Sequence, residues 1–176
     1  KAWHFFENSN LPKFYLDLKS YKKSLLSNSN PYTPAVNLIF ALDASLKMMK
    51  DEGLEKIFKR HERHKLAVSE AAKTLQLKLF AHEKHLSPSV TAIQIKDLDA
   101  EDFRKTIKKK YNILLAGGQD HLKGKIFRVG HLGYINDIDV VSVIAAIGNT
   151  LVEQNKVSTQ QVGEALKVAS FHLKAT

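Results

Sequence analysis

The chain has no cysteine among its 176 residues, which excludes disulfides, thiolate metal sites and a cysteine nucleophile, and fits a reducing compartment. No apolar run approaches the roughly 18 residues of a membrane span. The longest, Val140 to Ile147, reads as core. There is no secretory signal pattern, no internal repeat and no low-complexity tract. Gly117-Gly118 is too short for a phosphate cradle and reads as a tight turn that needs positive φ. Ser-His-Asp catalysis lacks a nucleophile-elbow signature.

What is present is ordinary in amount and uneven in placement. Apolar residues make up 44% and charged residues 26%, the balance of a globular protein whose length suits one core and one domain. The net charge is +9. The basic residues gather at Lys56 to Lys65, interrupted by Glu62, and at Lys105 to Lys110; both stretches read as solvated helix faces. Neither pairs with exposed aromatics or a docking motif, so the charge points to small anionic ligands and not to nucleic acid. Lys1 leads straight into Ala2-Trp3-His4-Phe5-Phe6, the beginning expected of a piece of something longer or of a processed product.

Periodicity predicts helices over Asp17–Leu26, from Thr33-Pro34 to about Lys50, over Leu54–Leu75, over Asp99–Lys110, after Asn136 and after Ser158. Thr33 reads as an N-cap with Pro34 at the first helical position. Leu54, Ile57, Phe58, Val68, Ala72 and Leu75 would form the apolar stripe of the long helix. Strands are expected at Leu77–Ala81 and Val90–Lys96, and a hairpin from Ile113–Ala116 and Lys125–Leu132. This order implies an α+β fold: a two-layer open sandwich with a small four-stranded sheet and helices on one face.

Four candidate sites stand out. His61 with His64, and His82 with His85, have a spacing that can bring two metal ligands together. His61 falls on an apolar stripe, as a satisfied core or boundary histidine would, and His82 and His85 have no third ligand nearby. Thr33 would set its hydroxyl beside the unpaired N–H groups of a helix start, a ready phosphate site, although most such threonines are only caps. Arg128 sits in the middle of a strand that is apolar on both faces. It either awaits an anion, for which its planar fork suits a carboxylate, or pairs from a strand edge with a distant Asp or Glu.

Phe14-Tyr15-Leu16-Asp17-Leu18, Pro31-Tyr32-Thr33-Pro34-Ala35-Val36 and Gly124-Lys125-Ile126-Phe127-Arg128-Val129-Gly130-His131-Leu132-Gly133 together resemble the class V pyridoxal-phosphate aminotransferases. The resemblance is to the alanine–glyoxylate and serine–glyoxylate branch and its soluble hydrogenase small-subunit relatives, and covers Lys1 to about Glu153. It implies the C-terminal domain of a cytoplasmic, homodimeric transaminase that moves an amino group between a small amino acid and a 2-oxo acid such as glyoxylate or pyruvate. Residues 1–176 would be that single domain, with 1–33 the linker and helix leading from a cofactor-binding domain. By the same resemblance Arg128 would bind the substrate carboxylate. Thr33 would contact the phosphate of pyridoxal 5'-phosphate in the neighbouring subunit. The family often shares that contact with a tyrosine three residues earlier, a place held here by Asn30. The family's catalytic lysine, its cofactor-stacking aromatic and its pyridinium-binding aspartate lie upstream of the region that matches Lys1, so the isolated chain is expected to be inactive, with no catalytic residue and no metal site of its own. The alternative reading is a free-standing dimerisation or interaction module that keeps the fold without the chemistry.

Overall fold

The computed structural model describes residues 1–174; the last two residues of the expected domain lie outside the described residues. The described chain divides into two compact units, one up to Asp51 and one from Glu52 onward.

The first unit holds helices α1 (Ala2–Asn8) and α2 (Leu18–Leu25) and nearly all of α3 (Val36–Glu52). Asp17 caps α2, its carboxylate accepting from the Lys19 N–H at 3.0 Å. Tyr32 packs against Tyr15 and Phe14, with ring centroids 4.5 and 5.3 Å away. α3 begins later than Thr33-Pro34 suggests. The Val36 N–H donates to Pro34 O at 2.9 Å, and the first helical bond runs from Ile39 to Ala35. A tight turn at proline therefore precedes the helix, and Ala35, not Thr33, occupies the cap position. None of the residues of α3 is buried.

The second unit carries the core. α4 (Leu54–Thr74) leads to strand β1 (Lys78–Leu79), β2 (Val90–Gln94), α5 (Ala100–Tyr111), β3 (Ala116–Gly117), β4 (Ile126–Gly130), α6 (Asp137–Glu153) and α7 (Thr159–Lys174). The strands form one antiparallel sheet in the order β1-β2-β4-β3. This is the expected open α+β arrangement, with shorter strands than the sequence implies. β1 and β3 are edges of two residues each, because only that much chain finds a partner.

Alternation decides what each strand residue does. Thr91, Ile93, Phe127 and Val129 are buried against the helices, where the Phe103 and Phe127 ring centroids lie 5.2 Å apart. Val90, Ala92, Gln94, Arg128 and Gly130 point to the other face. The burial of α4 starts at His61; Leu54 and Phe58, expected on its apolar stripe, are exposed because they lie ahead of the first turn that reaches the core. α6 carries a reciprocal cap between Asn136 and Asp139, and α7 starts, as expected, after Ser158, whose side chain and backbone pair reciprocally with Gln161. Gly117 and Gly118 do not take positive φ; Gly53, Gly124 and Gly133 do.

Candidate functional site: an arginine in the middle of a sheet

Arg128 lies on β4, an interior strand, and not at the edge that an ordinary ion-paired arginine would favour. Its direct neighbours across the sheet are Ala92 on β2 and Ala116 on β3. Continuing the β1–β2 register by one residue places Phe80 opposite Ala92, and the Phe80 N–H donates to Ala92 O at 2.9 Å. The row Phe80–Ala92–Arg128–Ala116 thus runs across the outer face with an alanine on each side of the guanidinium. These short side chains leave the group approachable.

Arg128 Nε donates to Gly117 O at 2.9 Å. Among the described residues no carboxylate stands within ion-pair distance of it, so the distant Asp or Glu of the ion-pair reading is not found there. Tying Nε to a backbone carbonyl leaves the two terminal nitrogens as a parallel pair of donors. That pair matches the spacing of a carboxylate.

The residues after Arg128 anchor its strand. His131 is 1% exposed; its Nδ1–H donates to Pro88 O at 3.0 Å, and its Nε2 pairs with Thr91 Oγ1 at 2.9 Å. Burial holds its pKa at about 4, so the ring is neutral at pH 7. Gly133, at φ +89°, donates its N–H to His61 Nε2 at 3.1 Å, while His61 Nδ1–H reaches Ile57 O at 2.7 Å. Arg60 donates to Gly133 O and Ile135 O at 2.8 and 3.0 Å and pairs with Glu52. His64, fully buried, donates from Nε2 to Asp137 Oδ1 at 2.8 Å; its Nδ1 has no partner among the described residues. Burial lowers its pKa, the Asp137 bond opposing. His61 is therefore the satisfied boundary histidine its stripe position implies.

The sequence alone did not single out His131, Arg60 or the Gly117 carbonyl, and it offered His64 only as half of a metal-ligand pair with His61. One available signal was the period of two: if Arg128 faces outward, His131 three residues later faces the core. His82 and His85 stand near each other with ring centroids 5.9 Å apart. Among the described residues there is no group of three metal-ligating side chains.

Thr33 and Asn30 lie in the first unit, and the structure brings these two together. With Tyr15, Ser29, Pro31, Tyr32 and Pro34 they line an open pocket of about 650 Å³. Its polar groups are neutral hydroxyls and an amide, with no carboxylate to repel an anion, which fits a phosphate contact. Nothing in the lining could neutralise a pyridinium nitrogen or supply a lysine, so the pocket fits only the phosphate end of the cofactor. Tyr32 does not replace the family's tyrosine at Asn30, because its hydroxyl is committed to Phe14 O at 2.5 Å.

Comparison with known proteins then gives these features a context. No family model matches the chain. The soluble hydrogenase 42 kDa subunit of Anabaena cylindrica is 50% identical over 153 residues, which is 87% of this chain and 40% of that protein. The L-aspartate–glyoxylate aminotransferase of Paracoccus denitrificans is 33% identical over 178 residues, covering 100% of this chain and 44% of the relative. Among solved structures, ureidoglycine–glyoxylate aminotransferase from Bacillus subtilis superimposes with a TM-score of 0.85 at 28% identity, over 96% of this chain and 44% of that one. The chain thus spans about 40% of the length of the relatives it matches, a coverage that fits a C-terminal portion. By sequence and by fold, its homologues are the class V aminotransferases of the serine- and alanine–glyoxylate type, together with the soluble hydrogenase small subunits.

Proposed function

We propose that these residues act as the C-terminal domain of a pyridoxal-phosphate aminotransferase, with residues 1–33 leading into it. The reaction moves an amino group between a small amino acid and a 2-oxo acid such as glyoxylate or pyruvate. The observation that carries the reading is Arg128: partly buried, interior to a sheet, flanked by alanines and without a carboxylate partner among the described residues. Both substrates of a transaminase carry a carboxylate, and a guanidinium held at Nε presents two donors to it.

The cofactor, when bound, supplies the electron sink for the transfer. This chain's part is binding and orientation. Arg128 fixes the carboxylate and thereby the direction of the amino or oxo group. Thr33, with Asn30 beside it, offers a neutral donor to the cofactor phosphate. Both side chains are exposed, which suits a contact made with a second subunit of a homodimer. The isolated chain is expected to be inactive.

The test is turnover by the full-length protein, loaded with pyridoxal phosphate and supplied with alanine, serine or aspartate against glyoxylate or pyruvate. Amino transfer in at least one pairing is the expected result. Cofactor binding without transfer in any of them would sink the reading and leave the non-catalytic dimerisation module.

A further inference from the structure

Among the described residues, the Gly117 carbonyl is the hydrogen-bond partner that orients Arg128 from within the sheet, and the place of Gly117 itself is tightly bounded. It does not take positive φ, so conformation does not demand glycine here. Space does. A Cβ on Gly117 would fall inside van der Waals contact with Glu101 Oε1 and lie 3.0 Å from Arg104 Nε.

Those two side chains form an ion pair one turn apart on α5, with Arg104 Nη2 at 2.6 Å from Glu101 Oε2. Arg104 Nη1 also donates to Leu115 O at 2.5 Å. The Arg104 guanidinium holds the Glu101 carboxyl below the usual carboxylate range, so the pair stays charged near neutrality. β3 is a two-residue edge with a strand on one side only. Its position therefore depends on what α5 does to it.

We infer that Gly117 and Arg104 are positioning residues for Arg128. Arg104 grips Leu115, the residue just before β3, while the bare α-carbon of Gly117 seats against the Glu101–Arg104 pair, and the Gly117 carbonyl turns the guanidinium outward. The inference rests on the reading of Arg128 as a carboxylate anchor. A methyl group at Gly117 displaces the ends of the Glu101 and Arg104 side chains, loosens the grip of Arg104 on Leu115 O and so lets the Nε acceptor shift. The terminal nitrogens then meet a carboxylate at the wrong angle.

The experiment uses the full-length holoenzyme and compares Gly117→Ala, Arg104→Ala, the double variant Gly117→Ala/Glu101→Ala and Arg128→Gln. Gly117→Ala and Arg104→Ala are each expected to raise KM for the carboxylate substrates by roughly five- to tenfold while kcat changes less, as lost binding in both ground and transition states requires. The double variant removes the carboxylate that blocks the methyl group, and should recover most of the KM, a non-additivity that general destabilisation does not produce. A Gly117→Ala variant that melts before assay leaves Arg104→Ala to decide. If Arg128→Gln raises KM and neither positioning variant does, the inference is overturned and the anchor stands. If Arg128→Gln leaves KM unchanged, the anchor itself falls, and the inference with it.

Discussion

Lysine in place of Arg128 would keep the charge and lose the fork. Its single ammonium cannot make two parallel bonds, so a bound carboxylate would swivel and the reacting group would drift. Arg128→Lys in the full-length enzyme is expected to lower kcat/KM by roughly 2–4 kcal/mol in transition-state terms while leaving the melting temperature nearly unchanged. Amines without a carboxylate should respond little. Unfolding with normal activity per folded molecule would instead make Arg128 a structural residue. Thr33→Val bears on the other contact. Thr33 stands ahead of the α3 cap position, so the fold should not notice, whereas losing a hydroxyl donor to a charged phosphate should weaken cofactor retention by roughly 1.5–3 kcal/mol. Equilibrium dialysis of the holoenzyme measures it, and unchanged retention would remove Thr33 from the site.

At the same scale lies the pH dependence of the core. His131 titrates at about 4 when folded and near 6.5 when unfolded. Its folded value is depressed, so the unfolded chain binds the proton first as the solution is acidified. Stability present above about pH 6.5 drains away as pH falls towards 4, by about 3 kcal/mol, and levels off below. His64 is shifted in the same direction by burial and adds to the slope, while His64, His61 and Lys65 disfavour any charge placed on His131. Urea titrations between pH 7 and 4 should show the decline, and His131→Asn should flatten it. Equal slopes for the two proteins would show that His131 does not govern it.

Among the elements, α6 and α7 meet where Gly148 leaves room for the side chain of Val162. A Cβ at Gly148 would lie 2.8 and 2.9 Å from the two methyls of Val162. Gly148→Ala is expected to cost about 1–3 kcal/mol by overpacking, read from denaturation midpoints, and Val162→Ala in the same chain should return much of it. Legibility in the sequence followed the strength of the local signal. The helix starts after Asn136 and Ser158 were readable because backbone groups near helix ends have few solutions. The strand ends and the start of α3 were less so. They depend on which partner a residue finds across the sheet, and on a turn at Pro34 that competes with the cap at Thr33. Arg128 was legible as a charge among apolar neighbours. Its alanine flanks and the Gly117 carbonyl were not, since register joins residues far apart in the chain.

For the molecule as a whole, the uneven burial matters most. Core side chains belong to the part from Glu52 onward, whereas Leu38, Ile39, Phe40, Leu42 and Leu46 of α3 are all exposed, as are Trp3, Phe5 and Phe14. A helix with apolar side chains all round is ordinarily a buried one. The isolated 176-residue chain should therefore self-associate or bind an apolar dye, and a version beginning at Glu52 should lose that behaviour. A strictly monomeric, dye-silent chain would mean these side chains need no cover. No helix among the described residues is long and apolar enough to cross a membrane.

The alternation along β4 has a consequence for how such a chain can change over generations. Phe127 and Val129 are buried and Arg128 between them is not. Losing or gaining one residue inside Ile126–Gly130 would exchange their places, sending the guanidinium among apolar side chains and a phenyl ring into the place proposed for the anchor. Drift in residue identity is survivable on the outer face, where Ala92 and Ala116 have only to stay small. Drift in spacing is not, so descendants that keep the proposed activity should inherit the length of this strand more strictly than its letters.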